Sequence, residues 1–309
     1  MHKSLTIIGF GNQAKTWALN LRDSGYEIFI GLRPNSNSKA LAEDLGLNVF
    51  ELSPGCYSPT ADIAMLTPDS THIEIVEQIQ NKKGCNFIFA HGHSLYFEGL
   101  SKKFSELNLL LLAPKAIASE MRLQYELNGP IGAVYSVELS KFEEESLLKL
   151  RGLAKDLGVK SFHETTIEME TKADLFSEQT LLCSILPYGA LHSFNKLVEK
   201  GVNEETAYFE CWHEVKLIAD AMVKMGPAKF FDLISPNALV GSELGRQAIF
   251  DQDFSDKLEK IYEDINNWNF QNKLSQTDVA GLKDSVSQMW KSEKLNQVHE
   301  RMSEELYKK

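Results

Sequence analysis

The apolar positions follow two different patterns in the two parts of the chain. Up to about residue 165, short apolar and β-branched runs alternate with longer amphipathic stretches; the runs are LTIIGF, EIFIGL, ADIAMLT, NFIFAHG, LNLLLLAP and GAVYSV. Stretches between them, such as QAKTWALNLRDSG, have the period of helices. Strands that alternate with helices predict an α/β fold with a parallel sheet and crossovers on both faces.

The strand pattern fades after HETTIEMETKADLF. From Thr171 onward the period is helical, in TKADLFSEQTLLCSILPYGALHSFNKLVEKG, in NEETAYFECWHEVKLIADAMVKMG and in the polar tail that ends LNQVHERMSEELYKK. This pattern predicts an all-helical second domain. We place the two domains at residues 1–165 and 166–309.

Composition limits the kind of partner. The chain has 309 residues, of which 43% are hydrophobic, and this is enough material for two ordinary domains with real cores. Its formal net charge of -11 argues against nucleic acid or an anionic membrane surface as the main partner, because polyanions bind through clustered Lys and Arg. Small molecules remain as the expected ligands.

The four cysteines and the apolar runs indicate which cellular compartment to expect for the protein. No C-x-x-C pair is present, so the sequence indicates neither a zinc site nor a dense disulfide framework, and a reducing compartment is expected. The opening MHKSLTIIGFG lacks the pattern of a secretory signal. The longest apolar candidate, LNLLLLAP, is far shorter than the roughly 18 residues of a membrane span. We expect a cytoplasmic protein.

A glycine signature follows the first predicted strand. Gly9, Gly11 and Ala14 give G-x-G-x-x-A, and Asn12 and Gln13 open the helix that comes next. In a dinucleotide-binding fingerprint the first glycine permits the tight turn, the second lets the backbone approach the pyrophosphate, and the small third residue lets the helix pack on the sheet. The helix N-terminus then binds the anion. We predict a Rossmann-type dinucleotide-binding domain.

The end of the second predicted strand favours NADP over NAD. An NAD site usually has an acid here for the ribose 2′-hydroxyl, yet no acid lies between Glu27 and Glu43. Arg33, Ser36 and Ser38 instead offer a cation and two hydroxyl donors that suit a 2′-phosphate. A polar loop without this role is the alternative.

Two carboxylate pairs stand out in the helical part. Asp174 with Glu178, and Glu210 with Glu214, are each four residues apart and therefore share a helix face, in apolar surroundings. Like charges that are partly buried need a cation, and an oxygen-rich cage suits Mg²⁺. With 43 acidic residues in the chain, pairs on solvated faces are the alternative.

A second metal interpretation rests on Glu210 and His213, which match the Glu-x-x-His element of di-iron helical bundles. Those sites need two such elements. Since no other histidine of this chain has a glutamate three residues before it, we disfavour di-iron and expect His213 to be a packing or supporting residue.

Together these residues resemble the short form of the ketol-acid reductoisomerase family. The resemblance covers GFGNQAKTWALNLRDSGYEIFIGLRPNSNS, FAHGHSLYF, LLAPK, ETTIEMETKADLFSEQTLLC and AYFECWHEVKLIADAMVKMG, in the same order. It implies an NADPH-binding Rossmann domain followed by a helical, knotted domain. It also implies two Mg²⁺ ions, with Asp174, Glu178, Glu210 and Glu214 as their ligands. In the short form the last two reach the site from the partner subunit, so a homodimer with a shared active site is expected.

The family reaction moves an alkyl group within a 2-acetohydroxy acid and then reduces the 2-keto acid with NADPH to a 2,3-dihydroxy acid, in branched-chain amino-acid biosynthesis. Metal ions can acidify the hydroxyl and polarise the neighbouring ketone, which no ordinary side-chain base does alone. The resemblance assigns His91 to proton relay, Lys115 to the surroundings of the metal cage and Ser235 to the substrate carboxylate. Serine before proline is otherwise ordinary turn chemistry.

The chain departs from the family beside these residues. Ala116, Ile117 and Ala118 replace Gly-Pro-Gly after the lysine, and Pro236 and Leu239 replace an asparagine and an acid. The substrate is therefore less fixed than the class of reaction. Two alternatives stay open: a divergent NADPH-dependent reductase of another 2-keto acid, and a non-catalytic NADPH-binding protein.

Overall fold

The computed structural model describes residues 3–307, and the chain divides into two compact units. One unit extends to Thr171 and the other begins at Lys172. The sequence-based boundary at residues 165 and 166 lies a few residues earlier. Helix α8 (Ile167–Ser177) runs across the division.

Within the described residues, eight strands form one sheet in the order β3-β2-β1-β4-β5-β6-β7-β8. The first six of these positions follow the strand order of dinucleotide-binding folds. The strands are β1 (Ser4–Ile8), β2 (Glu27–Leu32), β3 (Asn48–Glu51), β4 (Asp62–Met65), β5 (Asn86–Phe89), β6 (Asn108–Pro114), β7 (Gly132–Ser136) and β8 (Ser161–Glu164).

The sheet is not wholly parallel, and the sequence-based prediction is corrected here. β7 runs antiparallel to β6, pairing Leu111 with Ser136 and Pro114 with Ala133, whereas the other neighbours are parallel. The connection 115–131 contains a helix and is long enough for a parallel crossover or an antiparallel return. The alternation of elements therefore could not reveal the direction of β7.

Both faces of the sheet are covered by helices. One core packs Trp17, Leu21 and Leu150 against β1, β2 and β6, and a second packs Val76 and Leu100 against β4 and β5. All seven residues of β6 are buried, so the apolar run LNLLLLAP is a central strand. The helices are α1 (Asn12–Asp23), α2 (Lys39–Asp44), α3 (His72–Gln78), α4 (His93–Tyr96), α5 (Leu100–Lys103), α6 (Ala118–Glu126) and α7 (Glu143–Asp156).

The second unit is helical in all its described elements. Its core joins Phe194 and Tyr208 to Leu295 and Val298 of the last helix. After α8 the helices are α9 (Leu186–Glu199), α10 (Glu204–Tyr208), α11 (Glu214–Met225), α12 (Pro227–Leu233), α13 (Pro236–Ile249), α14 (Gln252–Asn266), α15 (Asn269–Gln276), α16 (Val279–Ser292) and α17 (Lys294–Tyr307). The knot implied by the resemblance stays a prediction.

Two π-helical segments interrupt this unit, at Glu178–Ile185 and Phe209–His213. The first ends where Pro187 enters the first turn of α9. Proline lacks the N–H that would continue the α-helical ladder, and this accounts for a local change of hydrogen bonding. We have no comparable cause for the second segment.

Three consecutive helices of the second unit bury no residue within the single chain. They are α11, α12 and α13. Val223 is 78% exposed, and Leu217, Leu233, Val240 and Leu244 are each more than half exposed. No helix in residues 3–307 combines the length and the apolar character needed to cross a membrane.

Candidate active site

The glycine turn lies between β1 and α1, as the sequence predicted. Gly9 has φ of +94°, and a Cβ there would lie 2.7 Å from Thr67 Cγ2 and 2.9 Å from the Leu66 carbonyl oxygen. Its N–H donates to the Gly31 carbonyl at 3.0 Å. Both backbone conformation and space therefore require glycine at this position.

Gly11 differs from Gly9, because the chain itself does not require it to be glycine. It is the N-cap of α1 in an extended conformation, and, apart from its chain neighbours, the described part of the chain has no atom within 4 Å of a Cβ built there. Asn12 and Gln13 begin the helix, whose first turn carries no acid. An open N-terminus without negative charge is a place where a phosphate can bind.

The loop after β2 surrounds a cavity of about 150 Å³. Arg33 is exposed, and Ser36 and Ser38 are half-buried. The Ser36 Oγ accepts a hydrogen bond from the Ser38 N–H at 3.3 Å, just before α2 begins. The cavity is lined by Leu32, Arg33, Asn35, Lys39, Val49, Phe50 and Glu51. Lys39 adds a second cation that sequence reasoning missed, although it follows directly after the serines.

A buried carboxylate joins the two predicted catalytic residues. The Glu170 side chain is 1% exposed; its Oε1 accepts from Lys115 Nζ at 2.7 Å, and its Oε2 lies 3.2 Å from His91 Nδ1. Oε2 also accepts from the Gly92 N–H at 2.8 Å. Since His91 follows β5 and Lys115 follows β6, the carboxyl ends of adjacent parallel strands bring the imidazole and the ammonium group to one acid. We call His91, Lys115 and Glu170 the unit 1 array.

Glu170 is ionised at neutral pH. Burial raises the pKa of its carboxyl group, but the hydrogen bonds and charges of His91 and Lys115 outweigh this, and the pKa lies below its usual value. Glu170 is thus a buried anion that fixes the positions of His91 and Lys115, two side chains that can hold or donate protons. Sequence reasoning missed Glu170, even though it precedes Asp174 by the same four residues that separate Asp174 from Glu178.

Gly92 sets the distance between α8 and the turn after β5. A Cβ at this position would lie 3.0 Å from the Ile167 carbonyl oxygen and 3.1 Å from Glu170 Oε2, and closer still to the Thr171 hydroxyl. Its φ is ordinary for any residue, so the constraint is purely one of space. The glycine of the AHG motif therefore lets the helix come close enough for Glu170 to reach His91.

The departure after Lys115 is accommodated locally. Ala116 packs against the core of the first unit, Ile117 is 75% exposed, and α6 begins at Ala118. The Ala118 carbonyl accepts from the Thr16 hydroxyl at 3.0 Å. The Lys115 N–H donates to the Gly132 carbonyl at 2.9 Å. Lys115 is thus bonded to the start of β7, and the altered loop presents a large apolar side chain two residues after it.

The four acids of the second unit are not gathered by the single chain. Asp174 is half-buried, and Glu178, Glu210 and Glu214 are exposed. Among residues 3–307, no three of these four carboxylates come within 4.8 Å of one another. Glu178 begins one π-helical segment, and Glu210 lies in the other, with Glu214 directly after it. Such segments are rare and occur frequently at functional sites.

Ser235 lies at a helix start. It is the N-cap of α13, and its hydroxyl accepts from the Ala238 N–H at 3.2 Å. Pro236 occupies the first helical position, where the backbone N–H would have no partner within the helix. The proline therefore does not cost the helix a hydrogen bond. Leu239 is 42% exposed one turn further along.

The sheet order, the glycine turn and the acid-bearing helices define a dinucleotide-binding α/β protein with a helical second unit. Two family models match it in the same order. "Acetohydroxy acid isomeroreductase, NADPH-binding domain" matches residues 1–161, and "Ketol-acid reductoisomerase, C-terminal domain" matches residues 167–308. The chain belongs to the ketol-acid reductoisomerase family. The predicted family and fold class are confirmed.

Individual relatives agree with this assignment. The ketol-acid reductoisomerase (NADP(+)) of Xylella fastidiosa is 32% identical over 286 residues, which are 90% of this chain and 80% of the relative. That of Xanthomonas campestris is 32% identical over 287 residues, 90% and 84% of the two chains. Among solved structures, an NADH-preferring ketol-acid reductoisomerase from an uncultured archean matches with a TM-score of 0.87 and 27% identity, over 98% of this chain and 94% of the other.

Proposed function

We propose that this protein is an NADPH- and Mg²⁺-dependent ketol-acid reductoisomerase. It would move an alkyl group between adjacent carbons of a 2-acetohydroxy acid and reduce the resulting 2-keto acid to a 2,3-dihydroxy acid, in branched-chain amino-acid biosynthesis. The unit 1 array carries the proposal, because a buried glutamate holding a lysine and a histidine at 2.7 Å and 3.2 Å has no role in the packing of an ordinary Rossmann domain.

The array suggests a division of roles. Lys115, held by Glu170 and still 40% exposed, is placed to stabilise negative charge that develops on a substrate oxygen. His91 has its Nδ1 directed at Glu170, so its Nε2 is the nitrogen that would exchange a proton with substrate. Glu170 orients both groups. Ser235 at the start of α13 is proposed to bind the substrate carboxylate.

The four acids of the second unit fit a pair of Mg²⁺ ions. All four offer carboxylate oxygens, which hard divalent cations prefer, and the set contains no thiolate or imidazole. Asp174, Glu178, Glu210 and Glu214 would hold the ions, which when bound supply Lewis acidity at the substrate hydroxyl and ketone. The di-iron alternative at Glu210 and His213 has no support in the composition of this set.

NADPH is proposed to bind along the turn from Gly9 to Gln13. The pyrophosphate would approach Gly11, where no side chain from residues 3–307 fills the space. The 2′-phosphate would bind beside Arg33, Ser36 and Ser38, at the edge of the cavity that Arg33 and Lys39 line, with Lys39 as an additional cation. The relatives named for NADP(+) agree with this preference.

We further propose that two chains share each active site. The exposed apolar side chains of α11 to α13 suit an association surface, because large exposed apolar patches mark sites of protein–protein contact. Glu210 and Glu214 lie directly before or at the start of this surface. A homodimer would cover the apolar side chains and bring the second acid pair to the Asp174 and Glu178 of the other chain. The four cysteines are all free, in agreement with a reducing, cytoplasmic location.

The decisive assay uses purified protein, 2-acetolactate and NADPH, with and without Mg²⁺. Mg²⁺-dependent oxidation of NADPH, with formation of the 2,3-dihydroxy acid, is expected. NADPH binding without turnover on any acetohydroxy or keto acid would leave only the non-catalytic alternative. Light scattering on the same sample should give the mass of a dimer, or of a larger assembly of dimers, rather than that of one chain.

A second candidate function is favoured by the altered loops. Ile117, 75% exposed beside Lys115, and Leu239 in place of an acid both change the chemistry near the proposed substrate position. A reductase of another 2-keto acid would turn over a preformed keto acid without Mg²⁺ and would leave 2-acetolactate unchanged. The assay above, run with both substrates, separates the two functions.

A further inference from the structure

A buried histidine joins the nucleotide turn to the unit 1 array. His72 is the first residue of α3, is 3% exposed, and had no role in any motif of the sequence. Its ring lies edge-on to Phe89 at the end of β5, with ring centroids 5.3 Å apart. Both ring nitrogens have hydrogen-bond partners on different loops, so the residue acts as a bridge between the turns after β4 and β5.

One side of the bridge reaches the nucleotide turn. His72 Nε2 lies 3.0 Å from the Thr67 carbonyl oxygen. Thr67 is the residue whose methyl group leaves no room for a Cβ at Gly9. The Thr71 hydroxyl, which donates to the Pro68 carbonyl at 2.7 Å, further fixes this turn. Thr67 therefore lies directly against the glycine turn.

The other side reaches the segment that carries His91. His72 Nδ1 lies 2.8 Å from the Ser94 hydroxyl, and Ser94 is fully buried. The Ser94 N–H donates to Asp69 Oδ1 at 3.2 Å, which closes the link between the two loops. Ser94 follows Gly92, whose own N–H binds Glu170. The position of Ser94 thus fixes the short helix α4 that begins directly after the array.

The chemistry of the two partners assigns the tautomer. A carbonyl oxygen can only accept, so Nε2 carries the proton toward Thr67. In a neutral ring Nδ1 then accepts from the Ser94 hydroxyl. Burial lowers the pKa of His72, which agrees with a neutral ring. A neutral ring with one donor and one acceptor satisfies both loops at once.

We propose that His72 is a positioning residue of this enzyme, which holds the Thr67 turn and the Ser94 helix at a fixed separation and so aligns the nicotinamide end of the cofactor with His91. The proposal rests on the proposed function. It assigns no contact between His72 and substrate. Loss of alignment by about 1 Å can lower turnover by about 100-fold, so the effect is expected in kcat.

Three variants separate the two sides of the bridge. His72→Phe keeps a ring of similar size and loses both bonds. His72→Gln places an amide N–H where Nε2 was, keeping the bond to Thr67 and losing that to Ser94. Ser94→Ala also loses only the Ser94 side. Ser146→Ala, which removes a buried hydroxyl bonded to Ser140 and Asn108 rather than to either loop, is the matched control.

The readouts are the dissociation constant of NADPH from protein fluorescence, kcat and KM with 2-acetolactate, and the melting temperature. For His72→Phe we expect NADPH to bind several-fold more weakly and kcat to fall about 10-fold or more. His72→Gln and Ser94→Ala should bind NADPH as the unchanged protein does, share a similar fall in kcat, and be no worse when combined. Ser146→Ala should change neither NADPH affinity nor kcat.

The outcomes distinguish this proposal from the proposed function. If the unchanged protein does not turn over 2-acetolactate, the function fails, but NADPH binding still tests the Thr67 side through His72→Phe against His72→Gln. Variants that lower only the melting temperature, with unchanged binding and kcat, would show that His72 merely fills the core. If His72→Phe does not fold, His72→Gln and Ser94→Ala decide the matter alone.

Discussion

The two units of this protein differ in how far their candidate functional residues are buried and bonded within one chain. In the first unit, Glu170 is buried and has three hydrogen-bond partners from two loops, so the array is complete within one chain. In the second, Glu178, Glu210 and Glu214 are exposed on helices with exposed apolar side chains. This difference is what we expect if the first group is positioned by folding of one chain and the second, as proposed, by association of two chains.

The largest expected effect comes from the exposed acids. Glu210→Gln should lower Mg²⁺-dependent turnover of 2-acetolactate by about 100-fold or more, because a neutral amide is a much weaker ligand for a hard cation, and should leave NADPH affinity unchanged. Steady-state kinetics and NADPH titration check this. Glu259→Gln, an exposed acid on α14, is the control and should behave as the unchanged protein does. Full activity of Glu210→Gln would remove its ligand role.

Mixing two inactive variants tests whether the two acid pairs of one site come from different chains. Asp174→Asn and Glu210→Gln are each expected to be inactive alone. If each site takes Asp174 from one chain and Glu210 from the other, a mixed dimer has one intact site, and random pairing restores about a quarter of full activity. Coexpression with two different affinity tags provides the mixed dimer. No recovery in that species would place all four acids in one chain.

A smaller effect is expected from the acid organised by folding. Glu170→Gln leaves Lys115 and His91 beside a neutral group, so kcat should fall by about 10-fold or more and the free energy of unfolding by about 1 to 3 kcal/mol. Kinetics and chemical denaturation measure the two. Glu145→Gln, an exposed acid on α7 of the same unit, is the control. A variant with normal kcat would make Glu170 purely structural.

The cofactor loop should give a still smaller change. Arg33→Ala should raise KM for NADPH about 10-fold, by loss of a charged hydrogen bond to the 2′-phosphate, and leave KM for NADH nearly unchanged. The ratio of kcat/KM for the two cofactors is the measurement. Arg151→Ala, exposed on α7, serves as control. An equal loss with both cofactors would contradict the assignment of Arg33 to the 2′-phosphate.

The smallest effect is one of pH on stability. Burial lowers the pKa of His72 and of His93, while Asp69 raises both and His91 lowers both. The unfolded chain therefore binds more protons than the folded one just below the usual histidine value of 6.5, and the free energy of unfolding should fall as pH drops from about 7 to about 5.5. Glu170, whose pKa lies below 4.5, loses its contribution to the free energy of unfolding only at lower pH.

Melting temperatures across this range test the sign, and His72→Gln should make the dependence shallower. A slope equal to that of the unchanged protein would exclude His72 as one of the titrating groups. A slope of opposite sign would mean that the histidines gain protons on folding, contrary to their burial.

Much of the first unit could be predicted because its strands are buried on both faces and read as continuous apolar runs. The strands that were missed, Asn48–Glu51 and Ser161–Glu164, are short edges in which no residue is fully buried. Edge strands of this kind lack the apolar signal on which the prediction depends. The reversed β7 could not be foreseen, because direction is a property of pairing and leaves no local pattern.

The candidate site was predicted in part for similar reasons. Motif positions such as His91 and Lys115 were singled out by the resemblance, whereas Glu170 was passed over as one more acid in an acidic helix. The repeated spacing of four before Asp174 was the available signal. The sequence around His72 gave no comparable signal. Its proposed role depends on contacts with Thr67 and Ser94, which are close in space but lie in different segments of the chain.

The missing side chain at Gly92 has a consequence beyond local packing. A Cβ at this position would overlap the Thr171 hydroxyl and crowd both the Ile167 carbonyl and Glu170, so any larger residue would force these groups of α8 away from the turn. Such a shift is expected to lengthen the contacts of Glu170 with His91 and Lys115 without altering a charge or a hydrogen-bonding group. The size of the residue at position 92 is therefore expected to set the geometry of the unit 1 array.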